Sequence, residues 1–439
     1  MRSTAALFAF SVSALLCAPL ALAADQLIQA GRLLDRPGEA PRGASTLHVR
    51  DGKVVEVREG HVGAAEFGIA AAEVIDLSDH FVLPGLIDSH VHLSSDRGGV
   101  AGQLAGVQMN PVDVAYEAQM NARKTLMAGF TTVRNLGDGD GVIRALRDAV
   151  KAGKVDGPRI LTANSSISAT SGHADPTLGF RTDLRAAVNR NGNVCDGVDA
   201  CRRAVRTQIS EGADVIKMTI TGGVNSRIGA GLGAQMFEDE ARAVVETARM
   251  YDKKVAVHAH GADGINLALR LGVDSIEHGT LLDEDSIRLF RESGAYYVPT
   301  LSTVNGYLAR IAADPNAYTG EVRAKIDWRI GITGKSLERA VPGGVKIAFG
   351  TDAGVSLHGR NADEFELLVK HGLTPMQAIV AATANAADLL GLADQVGALT
   401  PGLQADLIAV EGDPLSDITV LKQVDWVIQS GRVVKQPEH

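Results

Sequence analysis

Eight short apolar, β-rich runs alternate with stretches of helical spacing between residues 85 and 395, and that alternation leaves few architectures open. The runs are LIDSHVHL, FTTVRNL, RILTANSS, DVIKMTI, KVAVHAH, DSIEHGT, YYVPTLS and KIAFGTD, with helical patterns such as 111–128, 238–251 and 375–390 between or after them. Strands separated by helices pair in parallel, because a parallel neighbour is reached only by a crossover. Eight such units in roughly 300 residues predict an α/β fold, a (β/α)8 TIM barrel. A doubly wound open sheet is the alternative, but no G-x-G-x-x-G follows the first run.

Both flanks read differently. LIQAGRLLD, STLHVRDGKVVEV and AEVIDLSDHFVLPG predict short strands with turns at Asp51-Gly52 and Ser78-Asp79, and GALTPGLQADLIAVEG and DWVIQSGRVVKQ repeat that grammar at the far end. Residues 24–84 and 396–439 are therefore expected to build one small β-sandwich domain around a barrel over 85–395. Ahead of them, Arg2, an apolar stretch over 5–16 and Ala21-Leu22-Ala23 predict an export signal over 1–23, and hence a periplasmic or extracellular protein. Leu16 before Cys17 argues against a lipoprotein signal, which needs a small residue there. No later apolar run approaches the ~18 residues of a membrane span, so no membrane partner is expected. The two remaining cysteines, Cys195 and Cys201, are expected to close a local disulfide in an oxidising compartment, with unlinked thiols as the alternative. Lys+Arg 43 against Asp+Glu 52 gives a net charge of -9, which removes the basic footprint a nucleic-acid partner requires.

Chemistry-bearing residues collect where the runs end. His90 and His92 in DSHVHL share one strand face, since residues i and i+2 point the same way. His258 and His260 repeat the pattern in VAVHAHG, His278 follows in SIEHGT, and Asp352 in FGTDAG. Lys217 lies inside the apolar run ADVIKMTI, where a charged amine is costly. It either reaches solvent at the strand mouth or is neutral and carboxylated by carbon dioxide, an anionic bridge for two metal ions. The C-terminal ends of barrel strands are where such folds place their chemistry, so this histidine, lysine and aspartate set predicts a metal centre.

Taken together, HxH on the first strand, Lys on the fourth, His on the fifth and sixth and Asp on the eighth resemble the amidohydrolase superfamily, along essentially the whole mature chain. ADVIKMTITGGV, VAVHAHG, SIEHG and GTDAG further resemble its branch of Xaa-Pro dipeptidases, zinc carboxypeptidases and ochratoxin-hydrolysing amidases. The resemblance implies two zinc ions bridged by carboxylated Lys217 and hydroxide. His90, His92 and Asp352 would hold one ion, and His258 and His278 the other. It implies attack by the bridging hydroxide on an amide, with Asp352 as the proton shuttle. The implied substrate is a small molecule, a dipeptide or N-acyl amino acid with a hydrophobic or Pro C-terminal residue, and ochratoxin A is one such amide. A homo-oligomer is also implied.

His260 is placed in the pocket as a catalytic or substrate-binding residue, or as support for a ligand. His173 in SATSGHAD either lines the pocket or is a loop histidine. Arg227 is a candidate for a substrate carboxylate, against a solvated loop arginine. Asp88 and Glu277 read as structural, and GGVNSRIGAGLGAQ as a flexible active-site loop without phosphate-cradle spacing. Two other functions stay open. An imidazolone or cyclic-amide hydrolase would not need Lys217, and a non-catalytic periplasmic metal- or solute-binding barrel has no use for Asp352 as a shuttle.

Overall fold

The computed structural model describes residues 25–226 and 231–437; the export signal expected over 1–23, Cys17 and Arg227 lie outside the described residues. Four strands precede the alternating region: β1 (Asp25–Leu33), β2 (Ser45–Arg50), β3 (Lys53–Glu59) and β4 (Glu73–Pro84). The eight runs become β5 (Leu86–Val91), β6 (Phe130–Asn135), β7 (Arg159–Thr162), β8 (Ile216–Thr219), β9 (Val255–Ala259), β10 (Ser275–His278), β11 (Tyr296–Val298) and β12 (Lys346–Ile347). Then come β13 (Leu407–Val410), β14 (Trp426–Gln429) and β15 (Arg432–Lys435).

β5 to β12 lie in two parallel ladders, β5-β6-β7 and β8-β9-β10-β11-β12. Single backbone bonds span the gaps between them. Ile167 N–H donates to Lys217 O at 2.8 Å and Thr219 N–H to Ile167 O at 2.9 Å; on the other side Ser89 N–H donates to Phe349 O at 2.9 Å and Asp352 N–H to His90 O at 2.7 Å. β5, β6, β8, β9, β10 and β11 are buried along their whole length, as parallel strands covered by helices are, and the architecture is an α/β, TIM-barrel-like one. A helix after the last of them begins where sequence chemistry places a cap. Thr374 Oγ1 accepts the Gln377 N–H while Gln377 Oε1 accepts the Thr374 N–H, and Pro375 opens the Pro375–Ala381 helix.

The chain ends join in one seven-stranded sheet of order β15-β14-β13-β4-β1-β2-β3. Ile28, Leu47, Val54, Leu407 and Ile428 pack into its own apolar cluster. β4 ends at Pro84, one residue before β5, so the same stretch of chain feeds both sheets.

Two local expectations are corrected. Ser78-Asp79 is not a turn but continues β4; the register skips from Ala30↔Leu77 to Arg32↔Phe81, and the extra residues bulge over Gly31, where a Cβ would collide with the Ser78 carbonyl. The helical pattern over 375–390 is two helices, Pro375–Ala381 and Ala384–Leu390, broken at Thr383, whose backbone leaves the helical region at φ -133 and ψ -94. Asp51-Gly52 does turn, with both residues left-handed, and Cys195 and Cys201 are joined in a buried disulfide. Among the described residues, no helix is long and apolar enough to cross a membrane.

Candidate active site

A cavity of about 360 Å³ opens at the C-terminal ends of the parallel strands, and His90, His92, Lys217, His258, His278 and Asp352 all line it. Burial and strand geometry bring them there: His90 is the fifth residue of β5, Lys217 lies in β8, His258 in β9 and His278 ends β10. Asp352 follows β12.

Ligand atoms of His90, His92 and Asp352 lie within 4.8 Å of one another. Asp352 Oδ1 stands 3.5 Å from His90 Nε2 and 3.2 Å from His92 Nε2. The other ring nitrogens are occupied: His90 Nδ1 meets Glu277 Oε2 at 2.9 Å, and His92 Nδ1 meets the Gly137 carbonyl at 3.0 Å. Both imidazoles are thereby turned so that Nε2 faces the cavity, the arrangement a metal ligand requires.

The second group is joined by ring contacts. The His258 and His278 ring centroids are 4.6 Å apart, and His278 lies 5.1 Å from His90. His278 Nδ1 is held by Thr300 Oγ1 at 2.8 Å. His278 and Asp352 both have left-handed backbones, at φ 71 and φ 55, conformations that are strained for ordinary side chains and recur at functional sites.

Lys217 lies among these residues at 3% exposure, and its Nζ has no hydrogen-bond partner among the described residues. Burial pulls its ammonium down to about 8. Burial also lowers His90 to about 4 and takes His258 and His278 well below the ordinary histidine value, so these rings are neutral and free to ligate. For Asp352, burial alone would raise the carboxyl, but the facing His90 and His92 outweigh it and hold it below the usual value. Those same contacts act on His92 in reverse, where the carboxylate overcomes burial and raises the ring.

His173 and His260 complete the histidine cluster. The His173 ring stacks on His258 at 4.1 Å with Nδ1 against Ser226 Oγ at 2.7 Å, so the loop histidine does line the cavity. His260 stands edge-on to His258 at 4.7 Å, with Nδ1 against Thr280 Oγ1 at 2.7 Å. Val224 and Asn225 carry the loop after β8 onto the cavity wall.

Asp88 and Glu277 are structural, as their place on the strands suggested, and each supports a candidate ligand. Asp88 accepts from the Thr351 hydroxyl at 2.6 Å and from Asn361 Nδ2 at 2.8 Å, fixing the turn that presents Asp352. Glu277 also accepts from Arg134 Nη2 at 2.9 Å. Arg134, Tyr307 and Arg329 were not singled out from the sequence. The last two line the cavity from the helices Thr303–Ala313 and Gly320–Gly331. No short motif marks them; for Arg329 a charged residue on the buried face of a helix was the available signal.

The amidohydrolase family profile matches residues 81–434. The ochratoxinase of Aspergillus niger is 34% identical over 373 residues, covering 81% of this chain and 76% of that protein. Among solved structures, an Xaa-Pro dipeptidase with methionine bound in its active site superposes with a TM-score of 0.87 at 39% identity, covering 94% of this chain and all of that one (100%). A prolidase complexed with N-methylphosphonate-L-proline gives a TM-score of 0.83 at 32% identity, with 94% and 100% covered. The chain belongs to the amidohydrolase family. Within it, the chain falls in the dipeptidase and ochratoxinase branch and is a hydrolase of amide or peptide bonds. Members of this family typically bind a metal, and the His90, His92 and Asp352 group suits one.

Proposed function

We propose that this chain is an exported amidohydrolase with a binuclear zinc centre, cleaving dipeptides or N-acyl amino acids that end in a hydrophobic residue or Pro, ochratoxin A among them. The observation that carries this reading is Lys217, a buried amine without a partner among the described residues, set among the cavity histidines and Asp352. An unpartnered buried polar atom is costly, and here a carboxyl group on Nζ would turn the orphan into an anionic ligand. His90, His92 and Asp352 would hold one ion, His258 and His278 the second, and carboxylated Lys217 would bridge the two. Zinc bound there would polarise the scissile carbonyl and acidify a water.

The chain's own groups do the rest. Asp352 takes the proton of the attacking water on its carboxylate and delivers it to the departing amine nitrogen. Glu277 and Gly137 keep His90 and His92 in the tautomer that leaves Nε2 unprotonated. His260 and His173 stand at the cavity wall, where their Nε2 atoms meet the substrate carbonyl or carboxylate. The relatives named ochratoxinase, Xaa-Pro dipeptidase and prolidase support an acylated amino acid over a ring amide as substrate.

Three further points belong to the same reading. The backbone bonds across both ladder gaps favour one closed (β/α)8 barrel over 85–395, and the single sheet shared by 24–84 and 396–439, packed on its own apolar cluster, supports their folding as one β-sandwich domain. An export signal over 1–23 and a buried disulfide fit a periplasmic or extracellular enzyme. Exposed Val112, Tyr116 and Met120, one helical turn apart, give a homo-oligomer an apolar surface to cover.

The test is a panel of N-acyl amino acids and dipeptides varied at the C-terminal residue, assayed with zinc and with chelator. Zinc-dependent release of the amino acid is expected; hydrolysis that ignores chelator, or a zinc-loaded protein whose Lys217 mass is unmodified, rejects the reading.

A further inference from the structure

Two arginines are buried among the described residues, and the structure treats them oppositely. Arg134 has a counter-ion: Nη2 donates to Glu277 Oε1 at 2.9 Å, Nε to the Ser89 carbonyl at 2.6 Å and Nη1 to Ser275 Oγ at 3.3 Å. Arg329, at 3% exposure, makes no ion pair among the described residues; its one side-chain hydrogen bond there runs from Nη1 to Thr333 Oγ1 at 3.2 Å. A guanidinium carries five N–H donors and stays charged in proteins, so most of its hydrogen-bonding capacity is unused. None of its nitrogens belongs to the sealed atoms without partners, and the side chain lines the cavity that holds Lys217 and Asp352. The spare donors therefore open onto the active site.

The neighbouring cation is placed differently. Lys325, one turn earlier on the Gly320–Gly331 helix, donates to the Gly223 carbonyl at 3.1 Å and to that of Ser226, fastening the loop after β8. Among the described residues, Arg329 is thus the arginine on the cavity that forms no ion pair with a carboxylate. Of the charges acting on His260 that of Arg329 is the largest, which puts it at that end of the histidine cluster. A buried charge without a counter-ion is unfavourable, and such a group persists where a ligand completes it.

We propose that Arg329 anchors a free carboxylate on the amine half of the substrate and so restricts the enzyme to amides whose leaving group is an amino acid. The inference rests on the hydrolase reading above and deepens it. In an N-acyl amino acid the carboxylate carbon is two bonds from the scissile nitrogen, so its anchor must share the cavity of the candidate metal ligands, as Arg329 does. The planar fork of Arg donates to the two oxygens of a carboxylate together, which a lysine cannot match. This gives Arg329 the role the sequence offered to Arg227.

The experiment compares the zinc-loaded wild-type protein with Arg329→Gln and Arg329→Lys. Calorimetry measures binding of L-phenylalanine and of L-phenylalaninamide, and kinetics measures cleavage of N-acetyl-L-phenylalanine. Wild type is expected to favour the acid over the amide; Arg329→Gln loses that preference and falls about 100-fold in kcat/KM, while Arg329→Lys retains part of both. Melting curves check folding, and Arg329→Lys, which keeps the buried charge, carries the comparison where the Gln variant unfolds. A Gln or Lys variant that prefers the acid as strongly as wild type overturns the proposal, as does a wild type that binds acid and amide alike. An Arg329-dependent preference for the acid without any hydrolysis supports the anchor and rejects the hydrolase reading.

Discussion

Glu277 and His90 are 187 positions apart in sequence and 2.9 Å apart in space, the Glu277 carboxylate taking His90 Nδ1 while its other oxygen takes the Arg134 guanidinium. One buried carboxylate thus orients a candidate ligand and neutralises a buried cation. Arg134 and the proton on His90 Nδ1 together repay the desolvation that would otherwise lift the Glu277 carboxyl, and hold it down at about 2.

Glu277→Gln therefore has two separable effects. It leaves Arg134 charged, buried and unpaired, which costs about 3–5 kcal/mol. It also removes the charge that fixes the His90 tautomer, which lowers metal affinity about 10–100-fold. Urea unfolding of the metal-free protein reads the first effect and metal titration of the folded protein the second; a stable variant with unchanged affinity contradicts the assignment.

Asp352→Asn should spare the fold. Asn adopts the left-handed backbone that Asp352 holds at φ 55 more readily than most residues, and the side chains are nearly isosteric. The amide cannot accept and pass on a proton, so kcat is expected to fall about 100- to 10,000-fold while the melting temperature stays within a few degrees. Turnover equal to wild type removes Asp352 from the proton path.

The difference between what the sequence disclosed and what it hid follows the range of the interactions. His90 with His92 and His258 with His260 are legible because a strand places i and i+2 on one face, and Lys217 because a charged residue interrupts an apolar run. The Glu277 to His90 and Arg134 contacts depend on which strands end up as neighbours, and nothing near SIEHGT announces them. Arg329 is similarly hidden: its significance is the absence of a carboxylate partner among the described residues, a property of the packed molecule. Ser78-Asp79 misled for the opposite reason, since turn-forming residues also suit a bulge when a glycine lies opposite.

Gly223 is where backbone and site touch. A Cβ there would collide with the imidazole of His173, the ring stacked on His258 and held by Ser226. Gly223→Ala is expected to displace His173 without unfolding the protein, because the clash is with a side chain at the cavity wall. Activity falls while the melting temperature changes little, and Gly223→Ala combined with His173→Ala is no worse than His173→Ala alone, because the clash has been removed. An additive loss in the double variant, measured as a double-mutant cycle on kcat/KM, shows that Gly223 acts by another route.

Lys217→Met separates stability from function most sharply. Lys217 is an amine buried at 3% exposure with no hydrogen-bond partner among the described residues, and Met fills a similar volume without a polar atom to desolvate. Metal-free Lys217→Met should therefore be more stable than metal-free wild type by about 1–3 kcal/mol, reversing the usual sign for a substitution in a packed interior. The same change removes the proposed bridge, so activity with zinc falls by more than the roughly 10–100-fold typical of a group that only orients a ligand. Lys217→Ala opens space beside the histidines, and a small carboxylic acid such as propionate is expected to restore part of the activity there by supplying the missing oxygens. A metal-free Lys217→Met protein less stable than wild type shows that the amine has a stabilising partner in solution, and full activity in that variant rules out a bridging lysine.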